Sequence, residues 1–429
     1  MNKFTHDPSE YIRGLQQLLV SDKKKIAFLF GAGTSLAKKN KDSLNIPAIG
    51  KMTEMIENEI CKDEKYSSAI KEIKEEIGKD KYNVETLLSN VQEKYHIIGN
   101  GTLNGLKKSE FESLIKIIKD EIKKIVCVHK RIIKEKKLEQ LIHLDFAEWI
   151  GKADRKYGVE IFTTNYDYLF ELGMEEKSIP YYDGFSGSYE PFFYPESVDD
   201  LCYIPKQTKL WKIHGSLGWH LKFDEEKNLE RVFRKDSSCD DILIYPSTLK
   251  YADSKKQPYI ALMDRLTNFL KQPDTILIVC GYSFGDLHIN ERILTALKSN
   301  TSAHVYVLFY DIIWNGDKKD YGLVEDLHLA KLAKTNSKIS VLGCRNAVIG
   351  CKYGKWKLKR EPDEKDTINV NLYFDEDGPT NLDDPKNEER NGEEIWTGEG
   401  ELTLPDFLKF VKFLQSMIMQ NHRVGGQDK

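Results

Sequence analysis

Apolar residues fall along this chain in short continuous runs, separated by stretches where they recur every three or four positions. This is the pattern of buried strands alternating with amphipathic helices. The first run, Ile26 to Phe30, is bounded by lysines on one side and Gly31 on the other, as a buried strand feeding a glycine turn should be. Further runs lie at Val159 to Phe162, Leu210 to Ile213, Asp241 to Tyr245, Thr275 to Cys280 and His304 to Tyr310. Helical periodicity between them, at Tyr168 to Met174 and Tyr259 to Lys271, predicts strands joined by crossover helices. The fold class is therefore α/β, a doubly wound and mostly parallel sheet.

Two regions break the alternation. Residues 51–150 are rich in Glu, Lys and Ile with apolar positions at helical spacing, and Gly and Pro are sparse outside the Gly99 to Gly105 loop. This predicts a helical insertion domain. Arg360 to Gly400 is crowded with Asp, Glu, Asn, Pro and Gly, which predicts a loop or irregular extension with a strand at Ile368 to Phe374. Pro405 to Met419 reads as a terminal helix, followed by a polar tail expected to be disordered. The expected organisation is a first part of the α/β domain over 1–50, the insertion over 51–150, the remainder of the α/β domain over 151–350, and a small C-terminal extension over 351–429.

Charge narrows the function classes. A formal net charge of −4 argues against a dedicated nucleic-acid binder, so direct nucleic-acid binding is not expected. The runs Lys23 to Lys25 and Lys134 to Lys137 read as solvated element ends. No segment approaches the apolar length of a membrane span, and Met1 to Tyr11 lacks the apolar core of a signal peptide, so a cytoplasmic location without membrane contact is expected. Seven scattered cysteines suit a reducing compartment. Cys344 and Cys351 are the closest pair, with no second pair at finger-like spacing, so no metal is expected.

Four motifs at predicted strand ends carry the candidate chemistry. Gly31-Ala32-Gly33-Thr34-Ser35 follows the first strand, where glycines let the backbone turn tightly and approach a pyrophosphate at a helix start. The third glycine of the usual dinucleotide fingerprint is missing, and a turn serving packing alone fits as well. Thr163-Thr164-Asn165-Tyr166-Asp167 sets an amide and a carboxylate two residues apart at a strand end; in isolation the pair reads as a cap of the next helix. In Trp211-Lys212-Ile213-His214-Gly215-Ser216, a histidine at a strand end suits a ribose contact and general-base work near neutral pH. In Gly281-Tyr282-Ser283-Phe284-Gly285-Asp286, Gly281 and Ser283 present donors suited to phosphate, and Asp311 is a candidate for an adenosine ribose.

The order of these four motifs resembles the sirtuin family, with Ile46-Pro47 standing where that family has a flexible cofactor-binding loop. The resemblance implies a Rossmann-like fold and an NAD pocket over roughly residues 20–315. By motif, Gly31, Ala32, Gly33, Ser35 and Thr164 would line the cofactor, with Gly281, Ser283 and Asp311 beside them. Asn165 would position the attacking water or the nicotinamide ribose, Asp167 would bind the carboxamide, and His214 would be the base. The chain departs from the protein deacylases in lacking a zinc ribbon, in carrying TTNYD, and in its helical insertion. These departures resemble sirtuin-like NADases of bacterial antiphage defence, including those paired with a HerA-type ATPase. The resemblance implies an NAD hydrolase using NAD as substrate, expected to form a homo-oligomer and to take such an ATPase as partner. The alternatives are an NAD-dependent protein deacylase and a non-catalytic NAD or ADP-ribose sensor or assembly subunit.

Overall fold

The computed structural model describes residues 4–153, 155–224, 229–235, 257–363, 366, 368–377 and 396–423. Its centre is set by the strand Lys25–Phe30, whose alternate side chains face opposite ways. Ile26, Phe28 and Phe30 enter one apolar cluster, and Ala27 and Leu29 enter another on the opposite side of the sheet. A strand buried on both faces needs no polar positions, which is why the run is continuous.

Numbered along the chain, the strands of the main sheet are β1 (Phe4–His6), β2 (Lys25–Phe30), β3 (Glu160–Thr163), β4 (Tyr181–Tyr182), β5 (Thr208–Lys212), β6 (Thr275–Cys280), β7 (His304–Leu308), β8 (Ile339–Leu342), β9 (Asn346–Ile349) and β10 (Lys352–Trp356). They form a ten-stranded sheet in the order β1-β10-β9-β8-β7-β6-β2-β3-β5-β4. Pairing is parallel except at β8–β9 and β9–β10. The Rossmann-like, doubly wound class expected from the sequence is the one observed. Two features of its edge go beyond that expectation. A hairpin turning at Gly350-Cys351, both at positive φ, returns the chain antiparallel, and β1 adds to its outer strand.

The helices Pro8–Val20, Ile142–Lys152 and Phe407–Arg423 cover one face of this sheet, and Tyr259–Lys271, Leu287–Ser299 and His328–Thr335 cover the other. Phe407 packs edge-on against Phe30 at 5.4 Å between ring centroids, and Phe410 lies 6.1 Å from Phe28. The terminal helix is thus part of the central core. Each of these fully buried rings contributes about 1.5–3 kcal/mol by leaving water.

Between β2 and β3 the chain forms a helical unit with its own apolar core, built from Ile49–Ile60, Glu64–Ile77, Val84–Ile97 and Lys108–Val126. Local signals set its boundaries: Asn83 closes a capping box with Thr86, and Asp63 caps the helix after it. Ile142–Lys152 follows this unit in the chain but packs against the sheet through Phe146 and Trp149. A smaller four-stranded sheet joins Phe185–Ser186, Phe192–Phe193, Leu229–Arg234 and Trp219–Asp224.

Elsewhere the boundaries move by a few residues. The terminal helix is Phe407–Arg423, and the strand expected at Ile368 to Phe374 is instead a 3-10 turn at Val370–Leu372 followed by a short strand, Phe374–Glu376. The expected strand at Asp241 to Tyr245, much of the acidic stretch and the polar tail lie outside the described residues. Among the described residues no helix is long and apolar enough to cross a membrane.

One buried histidine gives the fold a pH dependence. His143 is packed against Phe170 at 4.6 Å and Phe407 at 5.4 Å between ring centroids. Neither ring nitrogen has a hydrogen-bond partner among the described residues. Desolvation pushes its pKa down to about 4, against a smaller opposing pull from Asp167. An unfolded histidine titrates near 6.5, so its contribution is fully present above that pH and is lost as pH falls toward 4. The shift corresponds to roughly 3 kcal/mol. In denaturant titrations at pH 7.5 and 4, His143→Leu should lose less stability than the wild type by an amount of that order. Equal losses in the two proteins would show that the ring is not held neutral.

Candidate functional site

The sheet order creates the site. From β2 the chain's order runs to β3 on one side and to β6 on the other, and such a switch point opens a crevice beyond the carboxyl ends of the strands. Register brings those ends level: Phe30 pairs with Cys280 and with Thr163, and Thr163 pairs with Lys212. The four motifs that follow these strands are therefore neighbours in space.

Gly31 and Gly33 are required by backbone contact with the motif on the next strand. A Cβ on Gly33 would stand 2.6 Å from the Gly281 Cα, and one on Gly31 would stand 2.5 Å from the Gly281 carbonyl oxygen. Gly281 itself has φ +68°. Gly33 donates its N–H to the Gly281 oxygen at 2.9 Å, locking the two turns together. The close-packing role of this glycine turn is thus observed directly, and its helix, Ala32–Leu36, is only one turn and a fraction long.

Asn165 ties the next motif to the same turn. Its side-chain nitrogen lies 3.0 Å from the Gly31 oxygen, 3.1 Å from Thr34 Oγ1 and 2.8 Å from Ser35 Oγ. Ser35 donates its hydroxyl to Asp167 Oδ2 at 2.6 Å, and Asp167 Oδ1 accepts the Leu169 N–H at 3.0 Å. Asp167 therefore accepts the first N–H of the helix Leu169–Glu176 while it holds Ser35. The loop is fastened from below by the buried Lys212, which donates to the Asp167 carbonyl and, at 2.7 Å, to Glu171 Oε1. Burial drives the Glu171 pKa up, against the pull of Lys212.

Over these turns lies a cavity of about 430 Å³, within the usual range for small-molecule sites. Ala32, Gly33, Ser35, Thr164, Asn165, Asp167, His214, Gly281 and Ser283 all line it, as do Ile46 and Pro47. Its far wall comes from the helical unit, through Met52, Val84, Glu85, Ile122 and Val126. Those residues were not singled out from sequence, where Met52 and Val126 read only as apolar helix positions. Glu85 and Asp286 are the lining carboxylates that sequence reading passed over. Asp286 had a signal, since it closes the GYSFGD motif.

Gly31 lies in the turn beneath the cavity without lining it, and Asp311 lies in another part of the fold. Its Oδ1 accepts the Cys344 N–H and its Oδ2 the Leu323 N–H, each at 2.8 Å, and it does not line the cavity. The sheet strand ends at Leu308, so the chain has already turned before Asp311, whose carboxylate organises that turn rather than a ribose. Cys344 and Cys351 carry free thiols, and burial pushes the Cys344 thiol well above its ordinary pKa.

A doubly wound α/β domain with a walled crevice at its switch point is the Rossmann-like class of fold, whose ligands bind at that crevice. Within that class, a family model for the SIR2-like domain matches residues 159–330, which include Asn165, Asp167, His214 and the Gly281 turn. This match supports a sirtuin-like family and NAD-related activity in general. No curated protein matches the chain.

Proposed function

We propose that this chain is an NAD hydrolase that cleaves the nicotinamide–ribose bond to give nicotinamide and ADP-ribose. The observation that carries the reading is the convergence of Asn165 and His214 on one cavity at the switch point, inside the region similar to SIR2-like domains. In the reaction, the bond from the ribose C1′ to the nicotinamide nitrogen breaks with its electron pair leaving on nicotinamide. Water then forms the new C1′–O bond and gives up a proton. The chain's residues orient the reacting bond and exclude solvent, a contribution worth several kcal/mol when geometry is fixed in advance. Asn165 holds the Gly31 to Ser35 turn in place, and His214 takes the proton from water. Asp167 acts through Ser35, which its carboxylate orients.

The biological setting we infer is antiphage defence in the cytoplasm, where NAD depletion halts the infected cell. Resemblance of the four motifs and the helical insertion to sirtuin-like defence NADases supports it. Such an enzyme needs restraint, and we propose that assembly into a homo-oligomer and pairing with a HerA-type ATPase supply it.

The test is incubation of the full chain with NAD, with products resolved by chromatography, beside a parallel reaction containing an acyl-lysine peptide. Nicotinamide and ADP-ribose formed without peptide are the expected products. Turnover that requires the peptide would identify a deacylase, and binding of NAD without turnover, with or without the ATPase, would leave a sensor.

A further inference from the structure

The wall of the cavity holds a cluster of which the proposed hydrolysis uses only His214. His214, at the end of β5, meets Asp286 and His288, which follow β6. One donor atom from each lies within 4.8 Å of the others. The His214 and His288 rings are nearly parallel, 29° apart with centroids 5.6 Å from one another. Asp286 occupies the N-cap position of the helix Leu287–Ser299, yet its side chain makes no capping bond there. His214 is buried, whereas Asp286 and His288 are half-buried.

We propose that these three side chains form a binding site for a divalent transition cation of the zinc type. Two imidazoles and one carboxylate are a donor set used by three-ligand zinc sites that leave a fourth position open. Imidazole donors select Zn²⁺ over Mg²⁺, which takes oxygen ligands and keeps its waters. A tetrahedral ion with bonds of about 2.0–2.1 Å draws its ligands to roughly 3.4 Å of each other. Rotation of the half-buried Asp286 and His288 side chains brings about that closure around the buried His214. Asp286 and His214 line the cavity, so the open position faces the NAD site.

The consequence rests on the hydrolase reading: a cation on His214 takes the imidazole lone pair that the proton transfer needs. Zinc therefore reversibly silences NAD cleavage.

The experiment is calorimetric titration of the full chain, freed of metal by chelator dialysis, with Zn²⁺ and with Mg²⁺. One Zn²⁺ per chain and no Mg²⁺ is expected, and both His288→Ala and the milder His288→Gln should weaken binding by about 10-fold or more. Cobalt placed in the same site should absorb without thiolate-to-metal charge transfer, which separates it from binding at cysteines. Circular dichroism establishes that the variants are folded. Zinc binding unchanged in folded His288→Gln, or no binding by the wild type, overturns the site. Zinc bound as described to a protein that never cleaves NAD overturns the hydrolase reading and leaves the site standing.

Discussion

Replacing His214 by alanine is expected to lower the rate of NAD cleavage by about 10²–10⁴-fold, the usual loss when a positioned acid or base is removed. The backbone around it has main-chain bonds of its own. Gly215, at φ +90°, donates its N–H to the Lys212 oxygen at 3.0 Å, and Leu217 donates to the Tyr166 oxygen at 3.0 Å, so the turn after β5 is held by main-chain bonds. The variant should therefore fold, with a far-ultraviolet dichroism spectrum like the wild type, and should fall mainly in kcat rather than KM. Initial rates of nicotinamide release over a range of NAD concentrations measure both. A variant retaining wild-type turnover would remove His214 from the chemistry and leave it as a wall residue.

Gly33→Ala should abolish NAD binding while altering only one methyl group. That methyl would stand 2.6 Å from the Gly281 Cα and 3.2 Å from the Gly281 oxygen, both main-chain atoms with no rotamer to yield. To relieve it the two strand-end turns must part, which breaks the 2.9 Å bond from Gly33 to Gly281 and shifts the Thr34 and Ser35 side chains that Asn165 grips. Overpacking of this kind costs about 1–3 kcal/mol. Thermal unfolding and NAD calorimetry on the same samples separate the two effects: a modest drop in Tm together with loss of NAD binding is the expected pair. Normal affinity would mean that the turns tolerate separation and that the ligand does not rest on them.

These two residues illustrate what could be read before the structure. Gly33 and His214 stood out because each follows a continuous apolar run, and a run buried on both faces announces the strand whose end must carry the site. Thr275–Cys280 and Tyr259–Lys271 were legible to the residue for the same reason, their patterns being long and bounded by Gln272, Pro273 and Gly281. The edge of the sheet was not. Phe4–His6 is three residues long, and its strand character comes from pairing with Gly354 to Trp356 at the other end of the chain, which no local pattern encodes. Asp311 misled for a related reason: an acid shortly after a strand suits a ribose, but only the tertiary fold reveals that the Cys344 and Leu323 N–H groups converge on it. Likewise, the helical unit was legible as helices, while its role as the far wall of the cavity depends on how Val84 and Ile122 are laid over the strand ends.

The terminal helix has a consequence for the order in which this molecule comes into being. Phe28 and Phe30 lie in the strand that ends at the glycine turn, and their rings are covered by Phe410 and Phe407, among the last described residues to leave the ribosome. Until those residues emerge, the two rings between them meet Phe146, Trp149 and Phe170 but lack the cover that the terminal helix adds. Long-range contacts of this kind form late in folding. A nascent or truncated chain lacking Phe407–Arg423 would thus hold every motif of the site with only part of the core that backs them, so full rigidity of the turn arrives with completion of that helix.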